Sequence, residues 1–143
     1  MQLEFICPFG YDEQYISAVA ELEKRCFGDA WSEDSIRAEA EAGRLWLAMD
    51  GECLAGYIVF WQIADECEIA NLAVAPEYRR KGIAGQLLAR AYACGAHRFF
   101  LEVRESNWIA RALYDTHGFT PYARRRAYYK KPLEDAILLC KEV

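Results

Sequence analysis

The stretch Arg79-Arg80-Lys81-Gly82-Ile83-Ala84-Gly85 follows a strand that ends at Val74, stopped by Pro76, and leads into a helix expected from about Ala84 to Cys94, with Leu87, Leu88 and Ala91 on one stripe. Small residues let the backbone approach an anion closely. The free N–H groups of the first helical turn then point at that anion with the helix dipole behind them, and Arg79, Arg80 and Lys81 add ionic contacts. The position therefore predicts a phosphate or pyrophosphate site. Two familiar phosphate loops do not fit, because the stretch lacks the Gly-Lys-Ser/Thr ending of a P-loop and the GxGxxG spacing of a dinucleotide fold. The alternative is a solvated basic turn ahead of a helix-opening glycine.

Working outward, residues 3–6 read as a strand, and Ile16, Val19, Leu22 and Phe27 follow helical spacing. Ser32 caps a second helix, with Asp34 and Ser35 in its first turn and Gly43 beyond its end near Ala42. Residues 45–49 and 53–61 flank Asp50-Gly51 as a hairpin, and residues 67–74 extend it into an antiparallel meander. Downstream, 98–104 is a strand, and 107–117 is a helix opened by Asn107 or Ser106 and closed by Gly118. Residues 119–125 and 136–141 are late strands. The order βααβββαβαββ predicts an α/β fold, a mixed sheet with helices packed on it.

No repeat, low-complexity tract or Pro/Gly/Ser-rich linker interrupts the 143 residues, so residues 1–143 are expected to form one domain. A chain of that size buries roughly two thirds of its unfolded surface. With 54% hydrophobic and 27% charged residues and no run of about eighteen apolar positions, a membrane span is not expected. Seventeen basic against 22 acidic residues leave a net charge of −5, which argues against direct nucleic-acid binding. Six scattered cysteines without a CxxC pair, and two histidines, predict no metal site. Most of the cysteines are expected in the core, and an acyl-cysteine mechanism would need one of them near a histidine. The Met1 segment lacks a leader pattern, so a cytoplasmic location is expected.

Arg79-x-x-Gly82-x-Ala84 fits the Q/R-x-x-G-x-G/A acetyl-CoA loop of the Gcn5-related N-acetyltransferase (GNAT) superfamily, which the chain resembles over nearly its whole length. Within it the chain resembles the RimI type, the ribosomal-protein alanine N-acetyltransferases. The matching stretches are Phe27 with Trp31-Ser32-Glu33, Asn71-Leu72-Ala73-Val74-x-Pro76, Leu101-Glu102-Val103-Arg104-x-Ser106-Asn107, Ala112-Leu113-Tyr114, Gly118-Phe119, and Arg126-Ala127-Tyr128-Tyr129 with Asp135-Ala136. Ala84 stands where the family often has glycine, and the connection from Leu87 to Phe99 is a few residues short.

The resemblance implies a single GNAT domain with a mostly antiparallel sheet. Leu72, Ala73 and Val74 would pair with the pantetheine arm of acetyl-CoA. Arg79, Arg80, Lys81, Gly82, Ile83, Ala84 and Gly85 would hold its pyrophosphate, and Asn107 would add a contact to the cofactor arm beside its capping role. A backbone N–H near 72–74 would polarise the thioester oxygen. As ordinary strand residues, Leu72 and Val74 would simply pack in the core.

Glu102 stands out without any family knowledge, because a carboxylate interrupts Phe99-Phe100-Leu101-Glu102-Val103. Either it pairs with a cation such as Arg104, or it faces a wet cleft where it can accept a proton. By resemblance it is the general base. Tyr114, by spacing a core residue, is by resemblance the group that protonates the departing CoA thiolate. Arg124-Arg125-Arg126 reads as an RNA patch or as a solvated face, and Tyr128-Tyr129 as packing or as a wall for a substrate peptide. Glu13, Glu21, Glu23, Glu33 and Asp34 are exposed helix charge or an attraction for a basic peptide.

The expected reaction is acetyl transfer from acetyl-CoA to the N-terminal amine of a protein, with the alanine of a small-subunit ribosomal protein as the substrate the resemblance implies. A small-molecule amine acetyltransferase and a non-catalytic acyl-CoA-binding module are the alternatives. Composition and motifs leave the oligomeric state open, and a monomer is consistent with them.

Overall fold

The structure, a computed structural model, describes residues 1–9 and 12–143. The strands are β1 (Leu3–Ile6), β2 (Leu45–Asp50), β3 (Cys53–Ile63), β4 (Glu66–Val74), β5 (Arg98–Arg104), β6 (Thr120–Lys130) and β7 (Leu133–Glu142). They form one mixed sheet in the order β1-β2-β3-β4-β5-β7-β6. β4 pairs with β5 in parallel, whereas β1/β2, β2/β3, β5/β7 and β6/β7 are antiparallel. The helices among the described residues are α1 (Glu13–Cys26), α2 (Glu33–Glu41), α3 (Ile83–Tyr92) and α4 (Trp108–Thr116), with a 3-10 turn at Pro76–Tyr78. The fold is α/β, and its element order is the one expected from the sequence. No described helix is long and apolar enough to cross a membrane, and the described residues hold no cluster of side chains suited to a metal ion.

The chain forms two compact units. Met1–Phe60 with Asn71–Ala91 make the first. Its α1 presents Ile16, Val19 and Ala20 at helical spacing to the interior, where Leu47 of β2, Ile58 of β3 and Leu87 of α3 are also buried. Each fully buried Val, Leu or Ile side chain among these contributes about 1.5–3 kcal/mol. Ser32 caps α2 by accepting the Ser35 N–H at 3.1 Å, and Gly43, at φ +73°, closes it.

Trp61–Ala70 with Tyr92–Val143 make the second unit. Along β5 the pleat sends Phe99, Leu101 and Val103 into the core and leaves Phe100, Glu102 and Arg104 on the other, partly open face. Asn107 caps α4 by accepting the Ala110 N–H at 3.2 Å, and Gly118, at φ +87°, ends it.

Three expectations are corrected. The late strands run longer than 119–125 and 136–141, because a bulge between Arg125 and Tyr129, with Ala127 at φ +52°, breaks the alternation by which a strand is recognised. Asp135 accepts the Ala127 N–H at 2.8 Å and so holds that bulge. In the first hairpin Asp50 pairs with Cys53, so the turn is Gly51-Glu52, with the positive φ (+61°) at its first central position. The cysteines are all free but not mostly core: Cys67 is buried, Cys53 is exposed, and the other four are intermediate.

Candidate active site

In the first unit, the loop ahead of α3 has the backbone of an anion cradle. Arg80 (φ +63°) and Gly82 (φ +77°) stand on either side of Lys81, an alternation that turns consecutive N–H groups toward one concavity. A Cβ built on Gly82 meets nothing within 4 Å, so the glycine serves the backbone angle and leaves the approach open. Ile83 and Ala84 bury their side chains, and Gly85 is half-buried. What these three can offer a ligand is therefore backbone. Arg80 and Lys81 are exposed. Arg79 is exposed as well but directs Nε to the Val74 carbonyl at 3.2 Å and Nη2 toward the Cys26 sulfur at 3.8 Å, so it fastens the loop to the end of β4.

Within the same unit, β3 approaches β4 so closely that a Cβ on Gly56 would lie 2.7 Å from the Ala73 carbonyl oxygen and 3.3 Å from the Val74 Cα. Ala73 is buried, with Leu72 and Val74 half-buried. Asn71 accepts the Leu72 N–H through Oδ1 at 3.0 Å and donates through Nδ2 to Glu23. Glu23 is thus no part of an exposed acidic face. It lies on the buried stripe of α1, three residues after Ala20, where its carboxylate also accepts from the Tyr57 hydroxyl and from the Trp31 N–H at 3.0 Å. Burial pushes its carboxyl up, against the lowering effect of those three donors. The sequence carried a signal for this, since spacing 16, 19, 20, 23 places the glutamate among core positions.

In the second unit, Glu102 opens onto a cavity of about 230 Å³ lined by Glu66, Glu68, Phe100, Tyr122, Arg125 and neighbouring residues. Arg125 lies beside it, at 3.4 Å. Register brings it there: Arg125 of β6 and Arg104 of β5 both face Ala136 of β7, so the sheet carries Arg125 to the side of Glu102, which lies 23 residues before it in the chain. Arg104 ties down the β6–β7 hairpin, donating to Glu134 at 3.2 Å and to the carbonyls of Lys131 and Pro132. Glu68, which sequence reasoning passed over, shares the cavity. Burial, and after it the charge of Glu102, pushes its carboxyl up, with Arg125 opposing.

Tyr114 is buried on α4 with its ring edge-to-face against Phe119, centroids 5.6 Å apart. Burial, with Tyr129 and Tyr92 adding to it, pushes its phenol well above the ordinary range, so the hydroxyl carries its proton at neutral pH. Arg124 is bound to Glu105 and Asp135 at 2.9 and 2.8 Å, and Arg125 to Glu102, so two of the three consecutive arginines serve ion pairs. Tyr128 and Tyr129 pack edge-to-face, with Arg125 over the first ring and Arg104 over the second.

The sequence model of the acetyltransferase (GNAT) family matches residues 16–119. A Bacillus subtilis (strain 168) protein provisionally named a ribosomal protein bS18-alanine N-acetyltransferase is 36% identical over 132 residues, covering 87% of this chain and 87% of its own. The ribosomal protein bS18-alanine N-acetyltransferase of Escherichia coli (strain K12) is 32% identical over 132 residues, covering 87% of this chain and 88% of its own. Among solved structures, that of the ribosomal-protein-S18-alanine N-acetyltransferase from Escherichia coli matches with a TM-score of 0.82 and 27% identity, over 99% of this chain and 94% of that one. Ard1 from Thermoplasma volcanium matches in fold with a TM-score of 0.87 at 19% identity, over 100% of this chain and 99% of that one.

Proposed function

Because the chain belongs to the acetyltransferase (GNAT) family, we propose that it acetylates the N-terminal amine of a protein, the alanine of a small-subunit ribosomal protein, using acetyl-CoA. The substrate class is supported by the relatives that carry this activity in their names over 87% of the chain. The observation that carries the chemistry is Glu102, a carboxylate on an otherwise apolar run of β5 that opens onto a cavity. Residues 1–143 are read as one acetyltransferase domain acting in the cytoplasm, where ribosomal proteins are made.

Acetyl-CoA supplies the activated acyl carbon and a thiolate leaving group. Its diphosphate suits the N–H groups of 80–85 with Arg80 and Lys81, whose backbone angles and open approach fit an anion. Leu72, Ala73 and Val74 offer backbone for strand-like pairing with the amide-bearing arm, and Asn107 adds a polar contact. Glu102 takes the proton that the amine loses as its nitrogen bonds to the acyl carbon. Tyr114 donates a hydrogen bond to the sulfur as the carbon–sulfur bond breaks. It then hands its proton to the departing thiolate, and burial keeps that proton on the phenol at neutral pH until it is needed. One carboxylate acting through water is a sufficient base for an α-amino group, with a pKa near ~8 and about a tenth neutral at pH 7, whereas a lysine near ~10.4 is neutral in only a few parts per ten thousand. That chemistry favours a protein N-terminus.

A CoA-release assay over peptides beginning with alanine, over the same peptides beginning with serine, over N-blocked lysine peptides and over polyamines tests the proposal. Preferred turnover of the alanine peptides is expected. Turnover confined to polyamines would replace it by a small-molecule acetyltransferase, and acetyl-CoA binding without turnover of any amine would replace it by a binding module.

A further inference from the structure

Glu23 is the charged side chain that the fold buries among the described residues, with 1% of its surface exposed. An unpaired carboxylate there would carry a heavy desolvation cost, and three donors meet it: the Tyr57 hydroxyl from β3, the Asn71 side-chain amide from β4, and the Trp31 N–H at 3.0 Å. The Asn71 contact has a consequence beyond satisfaction. A carboxylate accepts and cannot donate, so it admits only the Nδ2 end of Asn71 and fixes which way that amide faces. The Oδ1 end is thereby presented to the Leu72 N–H, which it accepts at 3.0 Å. Glu23 sets Asn71, and Asn71 draws the Leu72 N–H toward itself at the start of the 72–74 segment.

We propose that Glu23 is a positioning residue for acetyl-CoA binding: it touches no reacting atom, but through Asn71 it sets the backbone at Leu72 that receives the cofactor arm. This rests on the assignment of 72–74 to acetyl-CoA made above. A buried carboxylate that merely stabilises the fold would lower the melting temperature on substitution and leave the affinity of each folded molecule untouched.

The two roles separate in a double-mutant cycle, with melting temperature and acetyl-CoA affinity measured on every variant. Glu23→Gln can turn an N–H toward Asn71, and Asn71→Ala deletes the link to Leu72. Each is expected to weaken acetyl-CoA binding about tenfold, the scale of a lost charge-assisted hydrogen bond. Because both break the same link, the double variant should also lose about tenfold and not their product, on the order of a hundredfold. Tyr57→Phe removes a donor to Glu23 and an acceptor 3.4 Å from Asn71 Nδ2 but leaves the Glu23–Asn71 and Asn71–Leu72 hydrogen bonds, so it should lower the melting temperature while weakening acetyl-CoA binding less than Asn71→Ala does. Unchanged affinity in Asn71→Ala overturns the proposal even if Glu23→Gln does not fold, and multiplicative losses overturn it as well. Gly82→Asp serves as the reference: if the parent binds acetyl-CoA and Gly82→Asp binds as tightly, it is the cofactor assignment that fails. If Gly82→Asp weakens binding and Asn71→Ala does not, only the role of Glu23 fails.

Discussion

Replacing Glu102 by glutamine keeps the shape of the side chain beside Arg125 but removes its capacity to accept a proton as a carboxylate. Turnover of an alanine peptide is expected to fall by on the order of a hundredfold at neutral pH with acetyl-CoA binding retained, and the deficit should shrink as rising pH deprotonates the peptide amine in solution. A variant with a lowered melting temperature but an unchanged rate per folded molecule across pH would return Glu102 to a structural ion pair. Tyr114→Phe removes only a hydroxyl from a buried ring, so the fold and acetyl-CoA binding should survive while turnover drops by a similar factor. Glu68 carries a different expectation. Its carboxyl is raised in the folded protein, so the stability it contributes is fully present below the ordinary carboxylate range near ~4.3 and is lost as pH rises through its raised value. Glu68→Gln should therefore gain in melting temperature relative to the parent as pH is raised from about 4 to 7. A difference that stays flat over that interval would mean that neither burial nor Glu102 loads this carboxylate.

Among the elements, β3 and β4 approach each other tightly at Gly56. Alanine at Gly56 would place its Cβ 2.7 Å from the Ala73 carbonyl oxygen, and because the obstacle is backbone, β4 itself must move. Overpacking of this kind costs about 1–3 kcal/mol. The Gly56→Ala variant should show that loss in chemical denaturation and a weaker acetyl-CoA affinity as well, since the displaced atoms belong to the 72–74 segment. Element boundaries were legible wherever a local chemical signal marks them. Ser32, Asn107, Gly43 and Gly118 delimit their helices as read, because a cap is a hydrogen bond or a backbone angle confined to one turn. The β6–β7 hairpin was underestimated because its bulge at Ala127 is held by Asp135 from the opposite strand, and a register shift leaves no periodic trace in either strand alone.

For the molecule as a whole, acetyl-CoA should raise the melting temperature in a concentration-dependent way, because a ligand that binds only the native state stabilises it by mass action. Gly82→Asp should blunt that rise: it keeps an open loop position but adds negative charge and a side chain at a left-handed backbone angle. An undiminished ligand-dependent shift in the variant would move the pyrophosphate elsewhere. The sequence by itself determined the element order, the helix caps, the glycine-bearing turn ahead of α3 and the oddity of a carboxylate at Glu102, because each is written in neighbouring residues through short-range sterics, hydrogen bonding or alternation. Only the tertiary structure decided who meets whom. Arg125 reaches Glu102 because strand register across β7 brings together residues far apart in the chain. Glu23 is buried with Tyr57, Asn71 and Trp31 because a helix and two strands converge on it, and the donors that make its burial tolerable are up to 48 residues away. Pairings of that kind follow from packing the elements against one another, which local sequence patterns do not encode.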